Sequence, residues 1–171
     1  MAMHLNPIFT FDYVKHSTLK RIQNRENNLP VYFVDSSVFL EALLQQALSD
    51  ECFAFFYNAG YHYRLMTSTL VLGEIIKLLN NSNDEAKKRN GSFLLFSLLG
   101  KAEIQIVPIS PECLGNIGII KSADSLLDSS DSVIFSSAIT ENCKAFITLD
   151  SDFSARLGLE FDILIKKPFE A

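Results

Sequence analysis

Residues 31 to 37 read VYFVDSS, in which four apolar or β-favouring side chains run without a break into an aspartate and two serines. An unbroken apolar run of this length suits a strand covered on both faces, as in a parallel sheet. The segment that follows, VFLEALLQQALS (38 to 49), predicts a helix with Leu40, Leu43, Leu44 and Ala47 on one face. A strand that passes straight into a helix sets Asp35 at the strand's carboxyl end. In open α/β sheets that end is where ligands bind, at the point where strand order reverses.

The same pattern recurs along the chain. AFITL (145 to 149) is a second uniformly apolar strand, and it too ends on an aspartate, Asp150. Between the two, RLMT (64 to 67) predicts a short strand leading into a helix from about Ser68 to Leu79. DEAKKRNGSFLLFSLLG predicts another helix, and EIQIVPIS (103 to 110) a strand that stops at Pro108. A helical stretch then reaches about Ser122, DSVIFSSAIT predicts a helix starting near Asp131, and DILI (162 to 165) closes the sheet. ECFAFFYNAGYHY (51 to 63) reads as a helix whose aromatics crowd too many faces for a simple surface element. Strands separated by helical crossovers define an α/β class with a central parallel sheet of about four to five strands covered on both sides.

Composition bounds the rest. A chain of 171 residues, 48% hydrophobic and without a repeat, matches one domain with a substantial core. Residues 31–171 are assigned to that domain, and the more polar residues 1–30 to a peripheral arm or helix. No apolar run approaches the roughly 18 residues of a membrane span, and the first residues lack the pattern of a secretory signal. Cys52, Cys113 and Cys143 are odd in number, widely spaced and without a CxxC pair, which fits reduced thiols and a cytoplasmic location. A net charge of −5 argues against coating nucleic acid by bulk electrostatics but permits a local basic patch or a metal.

Four acids are placed to share the carboxyl rim: Asp35, Asp150, Asp131 at the helix before AFITL, and Glu74 in the first turns after RLMT. Two unit charges about 5 Å apart cost roughly 3 kcal/mol at an effective dielectric near 20, so such a cluster calls for a divalent cation. Oxygen ligands without His or Cys favour Mg²⁺ or Mn²⁺. Each acid also has an ordinary alternative. Asp35 or Ser37 can cap the helix that follows, and Asp128 with Asp131 can form an acidic capping box, which makes Asp128 a rival for the third ligand position. Glu74 can pair with Lys77, and Asp150 with Asp152 suits an Asx-turn.

Together, VYFVDSSVFLEALL, TSTLVLGEIIKLL, DSSDSVIFSSAI and AFITLDSDF resemble the ordered signature segments of PIN-domain ribonucleases, whose VapC-like members are toxins of toxin–antitoxin pairs. The resemblance covers about residues 31 to 165 and implies a three-layer α/β/α PIN-like fold. It also implies a metal-dependent endoribonuclease, with RNA as substrate, Mg²⁺ or Mn²⁺ as cofactor and an antitoxin as partner. The family's acidic quartet falls on Asp35, Glu74, Asp131 and Asp150, with Asp152 an auxiliary metal ligand and Ser37 and Thr148 polar supports. Lys77, Lys87, Lys88 and Arg89 are candidate RNA contacts. The arm before residue 31 and the aromatic stretch at 53 to 63 depart from compact toxin members, and the excess of aromatics there predicts a homodimer surface or antitoxin groove involving Phe53, Phe56, Tyr57 and Tyr61. A PIN-like scaffold that binds RNA with little cleavage is the alternative. A phosphoacceptor domain is disfavoured, because the second aspartate it requires would fall on Ser37.

Overall fold

The computed structural model describes residues 29–81 and 85–171; the arm assigned to residues 1–30 lies almost entirely outside them, as does the side chain of Lys87. Five strands, β1 (Val31–Val34), β2 (Arg64–Ser68), β3 (Gln105–Val107), β4 (Ala145–Ile147) and β5 (Leu164–Lys166), form one parallel sheet in the order β3-β2-β1-β4-β5. The helices are α1 (Ser36–Leu43), α2 (Ser49–Tyr57), α3 (Thr69–Asn80), α4 (Glu85–Lys101), α5 (Pro111–Ala123), α6 (Ser129–Thr140) and α7 (Ala155–Glu160).

Strand order makes the layers. From β1 the chain moves outward through β2 to β3, then returns across the sheet to β4 on the other side of β1. Right-handed crossovers place helices on opposite faces when the direction of travel reverses. Accordingly α1 packs with α2, α3 and α4, while α5 packs with α6 and α7. The reversal point is the gap between the carboxyl ends of β1 and β4, where Asp35 and Asp150 lie.

The core is aromatic on both sides. Phe33 and Phe146 are register partners with rings 5.7 Å apart, and Phe135 of α6 meets Phe146 edge-on at 5.3 Å. On the other face Phe39 packs on Phe56 at 5.0 Å, and Phe55 stacks on Tyr63 at 5.1 Å. The three cysteines are buried and free. None of the described helices is long and apolar enough to cross a membrane.

The strands expected over 103–110, 145–149 and 162–165 are Gln105–Val107, Ala145–Ile147 and Leu164–Lys166, and three helices also differ from the sequence reading. The helix expected over 38–49 begins at Ser36 and ends at Leu43, because Gln45 takes a left-handed φ of 52°, and Ala47 is consequently exposed. The helix expected over 51–63 is α2, which starts earlier at Ser49 and stops at Tyr57; Gly60, at φ 81°, then turns the chain so that the Tyr63 hydroxyl donates to the Phe55 carbonyl at 2.8 Å. Phe56 is therefore a core residue, 3% exposed, and not a surface one, whereas Tyr57 and Tyr61 are 60% and 50% exposed. Finally, α6 begins two residues before Asp131. The Asp128 carboxylate accepts the Asp131 backbone N–H at 2.8 Å, and this cap draws the helix start back.

Candidate metal centre

Asp35 leaves β1 as the N-cap of α1 and is 3% exposed. Burial raises its pKa, and the hydrogen bonds it accepts work against that rise. The Ser37 hydroxyl donates to Oδ2 at 2.6 Å and the Thr148 hydroxyl to the same oxygen at 2.9 Å. Ser37 in turn accepts the Leu149 N–H at 3.0 Å, and Thr148 accepts the Asp150 N–H at 2.9 Å. The ends of β1 and β4 are thus tied through two hydroxyls and one carboxylate, while the Ser36 hydroxyl lies 3.5 Å from Asp35 Oδ1.

Asp150 lies in the turn after β4, where its Oδ1 accepts the Asp152 N–H at 2.9 Å, an Asx-turn that brings the two carboxylates onto one side of the loop. Asp131 reaches them from the first turn of α6. Ligand oxygens of Asp131, Asp150 and Asp152 all lie within 4.8 Å of one another. Burial, then the neighbouring charges of Asp128, Asp35, Asp150 and Glu74, push the Asp131 carboxyl up to about 7. Asp128 itself is exposed, occupied as a helix cap and outside the three-carboxylate cluster.

Glu74 approaches from α3. Its Oε1 accepts a hydrogen bond from the Ser130 hydroxyl of α6, so it bridges α3 to α6. Neither Glu74 nor Asp35 belongs to the cluster of three, although Asp131 feels the charge of both. The structure therefore brings together Asp131, Asp150 and the auxiliary Asp152, with Asp35 and Glu74 flanking them. Ser130 was not singled out from the sequence; its only local signal is a hydroxyl in the first turn of a helix bearing site acids.

The donor set suits a hard cation. The oxygens are all carboxylate, the set expected for Mg²⁺ or Mn²⁺ and not for zinc. An open groove of about 420 Å³ shares Ser37 and Asp150 with this site and is walled by Leu40, Leu44, Leu78 and Leu149. Of the basic residues proposed from the sequence, Lys77 and Arg89 are exposed, and Lys88 is paired with Glu85 at 2.7 Å.

Comparison with known proteins fits this geometry. No curated protein sequence matches the chain. Among solved structures, VapBC2 from Rickettsia felis, bound to a DNA fragment from its promoter, aligns with a TM-score of 0.62 at 15% identity, covering 80% of this chain and 98% of that one. VapC20 from Mycobacterium tuberculosis, a sarcin-ricin loop cleaving toxin, aligns with a TM-score of 0.55 at 20% identity, covering 72% and 93%. A toxin–antitoxin complex from Klebsiella pneumoniae aligns at 0.56 and 15% identity, covering 82% and 99%. At these identities the likeness is one of fold. The PIN domain family model matches residues 32–156, which span the parallel sheet from β1 to β4 and every acid of the site, and the chain belongs to the PIN domain family.

Proposed function

We propose that this protein is a metal-dependent endoribonuclease that hydrolyses RNA phosphodiester bonds, and that it serves as the toxin of a toxin–antitoxin pair. The observation that carries the reading is the convergence of Asp131, Asp150 and Asp152 within 4.8 Å at the strand-order reversal of a PIN domain. The toxin role is supported by structural neighbours that are toxin–antitoxin proteins. The nuclease domain is residues 31–171, working in the cytoplasm as a homodimer or with an antitoxin, and residues 1–30 form an arm.

Asp35, Glu74, Asp131 and Asp150 are the catalytic acids in this reading and, with Asp152, the metal ligands. Bound Mg²⁺ or Mn²⁺ would lower the pKa of a coordinated water and neutralise charge developing on the phosphate oxygens. The protein's own contribution is placement. Ser37 and Thr148 hold Asp35 in one orientation, the Asx-turn orients Asp150 beside Asp152, and Ser130 holds Glu74 against α6. Asp131, with its carboxyl raised to about 7, would have to release its proton to serve as a ligand. Lys77, Lys87, Lys88 and Arg89 would contact the RNA backbone, which orients the strand without reading sequence.

The test is cleavage of single-stranded RNA by the purified chain in Mn²⁺ or Mg²⁺, abolished by EDTA. Asp35→Asn should slow it by about two orders of magnitude or more. Undiminished cleavage by a folded Asp35→Asn protein defeats the assignment. A second reading, a PIN scaffold that binds RNA with little cleavage, is favoured by one feature: Glu74 is engaged by Ser130 and stands outside the cluster of three. RNA retained intact in the same assay would select it.

A further inference from the structure

Resting on the reading that the acidic site meets RNA, we infer that Lys167, immediately after β5, is the residue that draws the RNA backbone to the site. A chain with a net charge of −5 and five acids at one rim repels phosphate, so binding needs a cation built in beside the carboxylates. Of the basic residues of α3 and α4, Lys88 is paired with Glu85. Lys167 is placed differently. Its Nζ lies 3.4 Å from the backbone carbonyl of Asp150, on the turn that carries the cluster.

Two features keep that ammonium available. The Glu170 carboxylate takes the Lys167 backbone N–H at 2.8 Å, capping the terminal 3₁₀ turn (Pro168–Glu170) and fixing the main chain from which the side chain reaches back. Lys167 has no carboxylate partner within 4.0 Å among the described residues. An ammonium carries three donors, and a single carbonyl leaves two for phosphate oxygens. A phosphate seated there neighbours the Asp150 turn, which sets the register of the strand across the acids.

The test is fluorescence anisotropy of a labelled single-stranded oligoribonucleotide with the full chain, in EDTA so that cleavage cannot intervene, over a series of salt concentrations. Lys167→Met should weaken binding by about fivefold or more and make the log–log salt slope shallower by about 0.7, the share of one phosphate contact on a single strand. Lys167→Arg should restore both. Lys144→Met removes the same charge at the amino end of β4, on the opposite edge of the sheet, and should change neither. Unchanged binding by Lys167→Met, an equal loss in Lys144→Met, or a parent chain that binds no RNA overturns the inference. A parent that binds through Lys167 yet never cuts RNA in Mn²⁺ leaves it standing and defeats only the nuclease reading.

Discussion

Burial raises the pKa of an aspartate at both ends of the acidic site, but the neighbours act in opposite directions. At the β1 end, Asp35 is buried among donors: two hydroxyls reach one of its oxygens at 2.6 and 2.9 Å, and these bonds offset part of the cost of burial. At the α6 end, Asp131 is half-buried, and the neighbouring charges of Asp128, Asp35, Asp150 and Glu74 add to the penalty of burial. The first region is a hydrogen-bond network closed by the Ser37 and Thr148 hydroxyls. The second is a set of like charges that a cation would relieve. One rim thus combines a rigid anchor with an electrostatically strained partner.

Substitutions in the two regions should therefore have opposite signs, and the largest effect belongs to the anchor. Thr148→Val removes a buried donor to Asp35 and an acceptor for the Asp150 N–H, and should cost about 1.5 to 3 kcal/mol, the range for hydrogen bonds to charged groups. Asp131→Asn should leave the metal-free protein as stable as the parent or more stable, by about 0.5 to 2 kcal/mol, as when a functional site gives up strain. Urea unfolding of both variants in EDTA checks the pair; destabilisation of similar size in both would erase the distinction.

Cation binding sharpens the contrast. Mn²⁺ should raise the parent's Tm by mass action and that of Asp131→Asn by much less, because the variant loses a ligand and part of the attraction. Equal shifts in thermal melts would remove Asp131 from the metal site.

The pH dependence tests the same contrast. With its carboxyl raised from 3.8 to about 7 in the folded state, Asp131 binds more protons folded than unfolded between those values. Its contribution is complete below about pH 3.8 and is lost as pH rises through about 7, so the metal-free parent should lose stability across that window. Asp131→Asn should show a flatter profile, the remaining slope including that of Asp35, whose pKa burial also raises. Parallel profiles in EDTA would mean that Asp131 titrates as an ordinary surface acid.

The aromatic stretch shows why some of this was legible and some was not. Composition alone reveals more rings at 53 to 63 than one helix face can bury, but not which ones. Gly60 turns the chain back, so Phe55, Phe56 and Tyr63 enter the core and Tyr57 and Tyr61 remain outside. The start of α6 is ambiguous in the sequence for a related reason. DSSD offers caps at both Asp128 and Asp131, and apolar spacing alone does not tell which one takes the backbone N–H.

What the sequence by itself determined is the parallel α/β sheet and the two strand-end acids, because uniformly apolar runs must be covered on both faces and a carboxylate directly after such a run has only the rim to occupy. Local chemistry also announced the Asp150–Asp152 turn and a capping role for Asp35 or Ser37. Only the tertiary structure decided that Asp131, Asp150 and Asp152 cluster while Asp35 and Glu74 flank them, that Glu74 is engaged by Ser130, and that Lys167 reaches the Asp150 turn. The residues in those contacts, apart from the neighbours Asp150 and Asp152, are between 17 and 56 positions apart in the chain. Hydrogen bonds and charge act over a few ångströms, so such pairs leave no periodicity in the sequence and exist only once the crossovers have packed α3 and α6 over the same edge.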